Sequence, residues 1–284
     1  MLHPSLRAWA RCAALVAGFV LIPAVRLDAQ PLKPSACTPE GALVTEIGAI
    51  AADGTITLKD GLLLRLANVI WPDHLEPGVR DKLAQGLTET LRNQRVSWKP
   101  AAGPDRWGIV PAFLFVQEPA TTHQPELPPF WLQAGMVEAG LVPAWPEFSH
   151  HDCWATLVEH ERIAVQRRRG HWAPRVQAQR LARIGANPAA HAGRRIVVQW
   201  RVASARKWRD LVFLNMGRRG TEGASLSLTA ATITALTTRG FAPEHLAGQR
   251  IIARIAVPGD GLRRARIESA EHLTPIAPEA SPQR

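Results

Sequence analysis

The sequence predicts a mainly β chain with helices, an α+β protein built as two successive β-rich units. Three observations predict it. Short β-prone runs punctuated by turn residues flank one amphipathic helix between 43 and 117; a second set of such runs with a single helix fills 193–274; and 284 residues exceed the usual size of one domain. A basic, alanine-rich stretch at 175–192, containing Asn187-Pro188, reads as a helical linker between the two.

Residues 1–29 read as a secretory signal peptide. Arg7 and Arg11 precede an apolar run from Cys12 to Val25, and Leu27-Asp28-Ala29 suits removal after Ala29. The run is too short to span a bilayer comfortably, and Pro23 and Arg26 close it. No later stretch is long and apolar enough to cross one, so the mature chain is expected to be exported, periplasmic or secreted, without a transmembrane span. Processing removes three arginines and one aspartate, so the formal charge of +10 becomes +8. That balance favours polyanions, whether nucleic acid or anionic envelope polymers, without choosing among them. Cys12 leaves with the signal, and Cys37 and Cys153 remain as an even pair in an oxidising compartment. A disulfide between them is expected, worth about 4 to 5 kcal/mol in the chain-entropy estimate; two unrelated buried thiols are the other reading.

Residues 30–42 form an extended lead-in. Strands follow at 43–51, 55–58 and 62–69, the last two joined by the turn Lys59-Asp60-Gly61. Pro77 suits an early helical position, and Val79, Leu83, Leu87 and Leu91 recur every four residues, which predicts a helix over 77–93 with Arg80, Lys82, Glu89 and Arg92 toward solvent. Further strands lie at 95–99 and 110–117, separated by the turn at 102–105. Helices at 130–139 and 154–168 are joined by a loop carrying Pro143, Pro146 and His150-His151, and Gly170 caps the second. In the second unit, strands are expected at 195–203, 210–215, 224–228, 249–257 and 262–271, with a helix at 230–238. The tail, 275–284, is proline-rich and expected to be disordered.

Residues 65–73 read Arg-Leu-Ala-Asn-Val-Ile-Trp-Pro-Asp. This resembles the Arg-Leu-x-Gly-Ile-Asp-x-Pro-Glu stretch of the staphylococcal-nuclease-like (thermonuclease) family. Other points fall in the same order: residues 58–61 ahead of Arg65-Leu66, Asp105-Arg106-Trp107-Gly108 beside the family's Asp-Arg-Tyr-Gly-Arg, Gly140-Leu141 after Met136-Val137, and Gly170-His171-Trp172. The resemblance spans about 43–174 and implies a five-stranded OB-type barrel packed on helices. The second unit, 193–274, is similar in pattern to another small OB-like barrel.

Family nucleases hold calcium between two aspartates, activate water with a glutamate, and place two arginines on the phosphate. Calcium takes six to eight oxygen ligands, several of them anionic; the water needs a positioned base; the charge building on phosphorus needs fixed positive donors. Here Arg65 matches the first arginine and Asp73 stands for the glutamate, one methylene shorter, a retreat that costs about 100-fold in rate. Asp53-Gly54-Thr55 is similar to the family's Asp-Gly-Asp-Thr with one residue absent: aligning Thr55 puts Gly54 at the first metal position, whereas aligning Asp53 shifts the strand by one and turns its side chains to the opposite face, so Asp53 reads as a turn residue. Ile70 holds the second metal position and Ile109 that of the second arginine, a loss worth about 10² to 10³ in rate. No intact catalytic set remains, and no metal or cofactor is expected. The pair His150-His151 with Asp152 and Cys153 reads as a loop rather than a metal site.

Arginines cluster with aromatic residues elsewhere. Arg162, Arg167, Arg168, Arg169 and Trp172, then Arg201, Trp208 and Arg209, are the candidate nucleic-acid-binding residues, because guanidinium beside exposed aromatic rings is how OB barrels grip single strands. The other reading places the tryptophans in the core and the arginines on a solvated face. The expected function is therefore an exported, catalytically inactive staphylococcal-nuclease-like protein serving as a binding or scaffold module for nucleic acid, another anionic polymer or an envelope partner. The alternative is an active nuclease using Arg65, Asp73 and Asp53 in altered geometry, with calcium or another metal.

Overall fold

The structure is a computed structural model and describes residues 37–72, 77–92, 94–117, 128–148, 150–216, 225–259 and 265–276. The segment expected to be a signal peptide, most of the expected lead-in, Asp73 and 277–284 lie outside the described residues.

The first expected strand is broken at Glu46 into β1 (Leu43–Thr45) and β2 (Ile47–Ile50). β3 (Ile56–Leu58), β4 (Leu63–Leu66), β5 (Arg95–Pro100), β6 (Val110–Gln117) and β7 (Phe130–Trp131) complete a seven-stranded sheet in the order β1-β5-β6-β4-β3-β2, with β7 added beside β6. β1 pairs with β5 and β2 with β3, so one run of chain joins both ends of the order and the sheet curls on itself. The β3–β4 turn forms at Asp60, whose carboxylate accepts the Leu62 N–H at 3.0 Å. β4 and β6 are parallel, a pairing that needs a crossover, and α1 (Pro77–Arg92) lies within it. On α1 the buried face is Ala84, Thr88 and Leu91, while Val79 is 49% exposed, so the packing stripe is rotated by one residue from the four-spaced leucines. Thr88 explains the rotation: its hydroxyl accepts the Ile50 N–H at 3.0 Å and donates to Ala84 O at 2.8 Å.

β6 is buried along almost its whole length because it runs between β4 and β5 beneath α2 (Leu132–Glu138). Gln133 of α2, fully buried, accepts the Leu114 N–H at 3.1 Å and donates to Ala112 O at 2.7 Å. α3 (His151–Gln166) packs on α2 and starts three residues earlier than expected, so His151, Asp152 and Cys153 are its first turn rather than loop. The ends of the two helices cross at Gly140 and Gly170. A Cβ on Gly170 would stand 2.3 Å from Gly140 O, and the His171 N–H donates to that same oxygen at 2.8 Å. Glycine is required there by contact between backbones.

After α4 (Pro174–Ala186) the chain enters β8 (Arg195–Arg201), β9 (Ser204–Trp208), β10 (Leu211–Asn215), β11 (Ser225–Leu228), α5 (Ala230–Thr238), β12 (Arg250–Ala256), β13 (Ala265–Ile267) and β14 (Leu273–Ile276). The order of pairings in the first sheet recurs here. β8 pairs with β12 and β9 with β10, as β1 and β2 pair with β5 and β3. β11 and β13 are parallel, as β4 and β6 are, and α5 precedes β12 as α1 precedes β5. The strands form two sheets, β13-β11-β10-β9 and β14-β12-β8. β9 was not expected: Ser-Ala-Arg-Lys-Trp has no apolar alternation, and the strand is an exposed hairpin arm held by backbone pairing. β14 carries Pro275, allowed on an edge strand, and takes two residues from the expected tail. The run expected at 262–271 shortens to β13 and a 3₁₀ turn at Ala270–His272.

Residues 34–284 form one unit with a separate apolar core in each half and a third cluster of Trp145, Ala164, Trp172, Val197 and Ile252 drawn from both. Beside that cluster, Arg254 of β12 meets Glu161 of α3, with side chains 0% and 1% exposed. Arg254 also donates from Nε to Ala144 O at 2.9 Å and from Nη1 to the Thr274 hydroxyl at 2.9 Å, and its guanidinium lies 4.8 Å from the Trp154 ring centre. Glu161 accepts the Ala144 N–H at 3.0 Å. Burial raises the Glu161 pKa and lowers that of Arg254, each against the pull of its partner. Among the described residues no helix is long and apolar enough to cross a membrane.

Two outcomes follow. Glu161→Gln leaves a buried guanidinium without its counter-charge and is expected to cost about 3 to 5 kcal/mol in urea unfolding, while Glu161→Leu with Arg254→Met together is near neutral. The second concerns Glu271. Burial opposes its ionisation, but hydrogen bonds from Ser269, Arg239 and its own backbone, with the Arg239 charge, draw its pKa from 4.5 to about 2. A depressed carboxylate stabilises the fold fully above about pH 4.5 and loses that contribution as pH falls toward about 2. The melting-temperature gap between wild type and Glu271→Gln should therefore be widest near neutrality and close across that window.

Candidate functional site

Arg65 lies on β4, opposite Pro111 of β6. Its guanidinium is engaged bidentately by Glu147, Nη1 to Oε2 at 2.7 Å and Nη2 to Oε1 at 3.0 Å, and lies 5.6 Å from the centre of the Phe148 ring. Glu147 also takes Arg195 at 3.2 Å, and its side chain is only 15% exposed. Arg195 in turn lies over Trp145 at 5.4 Å. The segment between α2 and α3 thus sets a carboxylate onto the one arginine that the resemblance retains. A fork-to-fork pair of this kind takes up the donors that would otherwise meet a phosphate.

Gly54 is buried, with φ +87°, beneath the indole of Trp71. A Cβ there would stand 2.6 Å from two indole carbons, and Trp71 Nε1 anchors the ring by donating to Ala52 O at 2.8 Å. The space beside Gly54, the position that the resemblance pairs with a metal aspartate, is therefore filled by an indole. Ile70 packs against the cluster of Trp145, Trp172, Val197 and Ile252, so its side chain joins the two halves of the molecule. Ile109 sits half-buried in a loop organised by Asp105, whose carboxylate accepts the N–H groups of Trp107 and Ile109 at 2.9 and 3.0 Å. Arg106 lies 4.0 Å over the Trp107 ring, itself 66% exposed, on the solvent side of that loop. Asp53 is exposed and accepts the Thr55 N–H at 2.9 Å. Asp73 lies outside the described residues. Among the described residues no three His, Cys, Asp or Glu side chains converge to hold a metal ion.

The candidate nucleic-acid residues divide into three groups. Arg167 and Arg169 lie 3.3 and 3.6 Å from Glu138, which His160 also contacts at 2.9 Å. Trp208 and Arg209 stack at 4.5 Å at the tip of the β9–β10 hairpin, with Trp208 54% exposed. Arg162, Arg168, Trp172 and Arg201 come together around a groove of about 860 Å³ between α3 and the β14-β12-β8 sheet. Sequence reasoning missed the groove's fourth arginine, Arg250, which only the β8–β12 register brings opposite Arg201. It missed Glu147 and Trp71 as well. Nothing local marks Glu147 as the partner of a residue 82 positions away. Cys37 packs onto the core that encloses the buried Cys153.

No protein-family model matches the chain, and no curated protein matches it.

The filled position at Gly54 has a measurable consequence. Gly54→Ala meets both a left-handed backbone and the Trp71 ring, and is expected to cost about 2 kcal/mol or more in thermal unfolding. Gly61→Ala, at φ +88° with open space around its Cβ, should cost about 1 kcal/mol.

Proposed function

We propose that the chain is an exported, catalytically silent protein of the staphylococcal-nuclease-like type, with two OB-type barrels in series, that binds nucleic acid or another anionic polymer. The recurring strand order, with α1 before β5 and α5 before β12 and parallel pairing of β4 with β6 and of β11 with β13, supports the barrel assignment. The observation that carries the functional reading is the bidentate hold of Glu147 on Arg65. With that arginine neutralised, an indole over Gly54 and isoleucines at 70 and 109, neither the cation nor the phosphate of a nuclease centre has its partners. The basic balance of the chain and its two exposed Arg–Trp pairs, 106–107 and 208–209, support retention of a polyanion. Export and the Cys37–Cys153 disulfide belong to the same proposal; alkylation before and after reduction should differ by two thiols in the mature protein.

Incubation with single-stranded DNA, duplex DNA and RNA, with calcium or with chelator, is expected to leave each polymer intact. The protein should stay on heparin or DNA resin at low salt and elute as salt rises. Calcium-dependent cleavage lost in Arg65→Ala would overturn the silent reading in favour of an active nuclease. Absence of salt-sensitive retention would leave a structural envelope protein.

A further inference from the structure

Arg201 and Arg250 stand directly opposite each other across the β8–β12 ladder. Alternation along the strands places Gln199 beside Arg201 and Ile252 beside Arg250 on one face, and Gln199 and Ile252 both line the groove with them. Like charges directly opposite in an antiparallel pair are destabilising. An oxyanion set between two facing guanidinia makes two charge-assisted contacts. The opposite wall is α3 and the turn after it, which supply Arg162 and Arg168; no acidic side chain lines the groove among the described residues. Arg162 is itself held bidentately by Glu159 on its own helix, Nε to Oε2 at 2.8 Å and Nη2 to Oε1 at 2.5 Å, so the ligand's charge falls first to Arg201 and Arg250.

Between these walls the groove is apolar, with Val158, Val165, Ile252 and Ile276 beside Trp172 and Trp200. Trp172 is 2% exposed, and its indole N–H has no hydrogen-bond partner among the described residues. Cationic walls over an apolar floor match a ligand that alternates charged and flat apolar parts. A single strand of nucleic acid does so: its phosphates meet arginines while unpaired bases lie on the floor. A duplex keeps its bases inside and would leave that floor in water. An acidic peptide adding to the neighbouring edge strand β14 meets Pro275, which has no N–H to give.

We infer that this groove, rather than the region around Arg65, seats single-stranded nucleic acid, with one phosphate between Arg201 and Arg250 and the strand running along the wall that carries Arg168. The inference rests on the polyanion-binding proposal above and assigns its place and ligand.

The test is fluorescence anisotropy of the full chain with a fluorescein-labelled oligothymidine and with a duplex of equal length, over a salt series. Arg201→Gln with Arg250→Gln should weaken oligothymidine binding at least tenfold and lower the salt slope by about 1 to 2. Arg183→Gln with Arg194→Gln, in a second basic groove beside α4, should leave it unchanged. Wild-type affinity in the Arg201/Arg250 variant, with loss in the Arg183/Arg194 variant, overturns this site and leaves the polyanion reading standing. No salt-sensitive binding by the wild type overturns both. Equal affinity for the duplex overturns the single-strand assignment, and so does a preference for phosphatidylglycerol vesicles that the Arg201/Arg250 variant abolishes.

Discussion

The ion pair between Arg254 and Glu161 governs how the rest of the molecule is arranged. Both side chains are fully buried, and each is surrounded by partners that only one alignment of the two halves provides: Ala144 from the segment after α2, Thr274 from β14, Trp154 from α3. Burial outweighs mutual attraction in the pKa of both members, so the pair adds little net stability compared with an apolar replacement. What it does provide is a single register. A sliding or rotated contact between α3 and the β14-β12-β8 sheet would strand two charges in an apolar interior. The cluster of Trp145, Trp172, Val197 and Ile252 fills the remaining contact, and Ile70 completes it.

That arrangement explains why the region around Arg65 has the composition it has. Once the second half is fixed against the first, Ile70 is an interface residue, and a carboxylate there would be buried against Trp172 and Val197. Glu147 is held between Arg65 on one side and Arg195 of β8 on the other, so the second half contributes a charge to the same site. Trp71, next in the chain to Ile70, folds back over the 51–54 turn. Three adjacent features thus share one origin, the packing of a second barrel-like half across the face of the first, and the basic groove with its facing arginines lies along the same junction.

Much of the backbone was legible in the sequence. The strand at 110–117 and the helix at 230–238 have the expected bounds, because a continuous β-prone run and a capped helix following Thr229 are local signals. β9 and β14 were not legible, since one lacks apolar alternation and the other contains a proline; both exist through backbone pairing with neighbouring strands. At the candidate site the departures from the resembled pattern at Gly54, Ile70 and Ile109 could be read from the chain, but the side chains packed around them could not. Glu147 reaches Arg65 across 82 residues, and Arg250 reaches Arg201 only through strand register. The arginines grouped by sequence proximity fall to different places for the same reason: on α3 and the turn after it, 162 and 168 face the groove while 167 and 169 turn to Glu138.

In the proposed reading, two side chains of this protein stand where a nuclease would hold its ligands, Glu147 on the arginine that would meet the phosphate and Trp71 over the position that would hold the cation. Calorimetric titration of calcium into the chain without residues 1–29 at low ionic strength addresses it most directly. With Glu147 on Arg65 and an indole over Gly54, no saturable heat is predicted. Uptake of one calcium per chain with a dissociation constant in the micromolar range, the order found in sites built from several carboxylates, would contradict it.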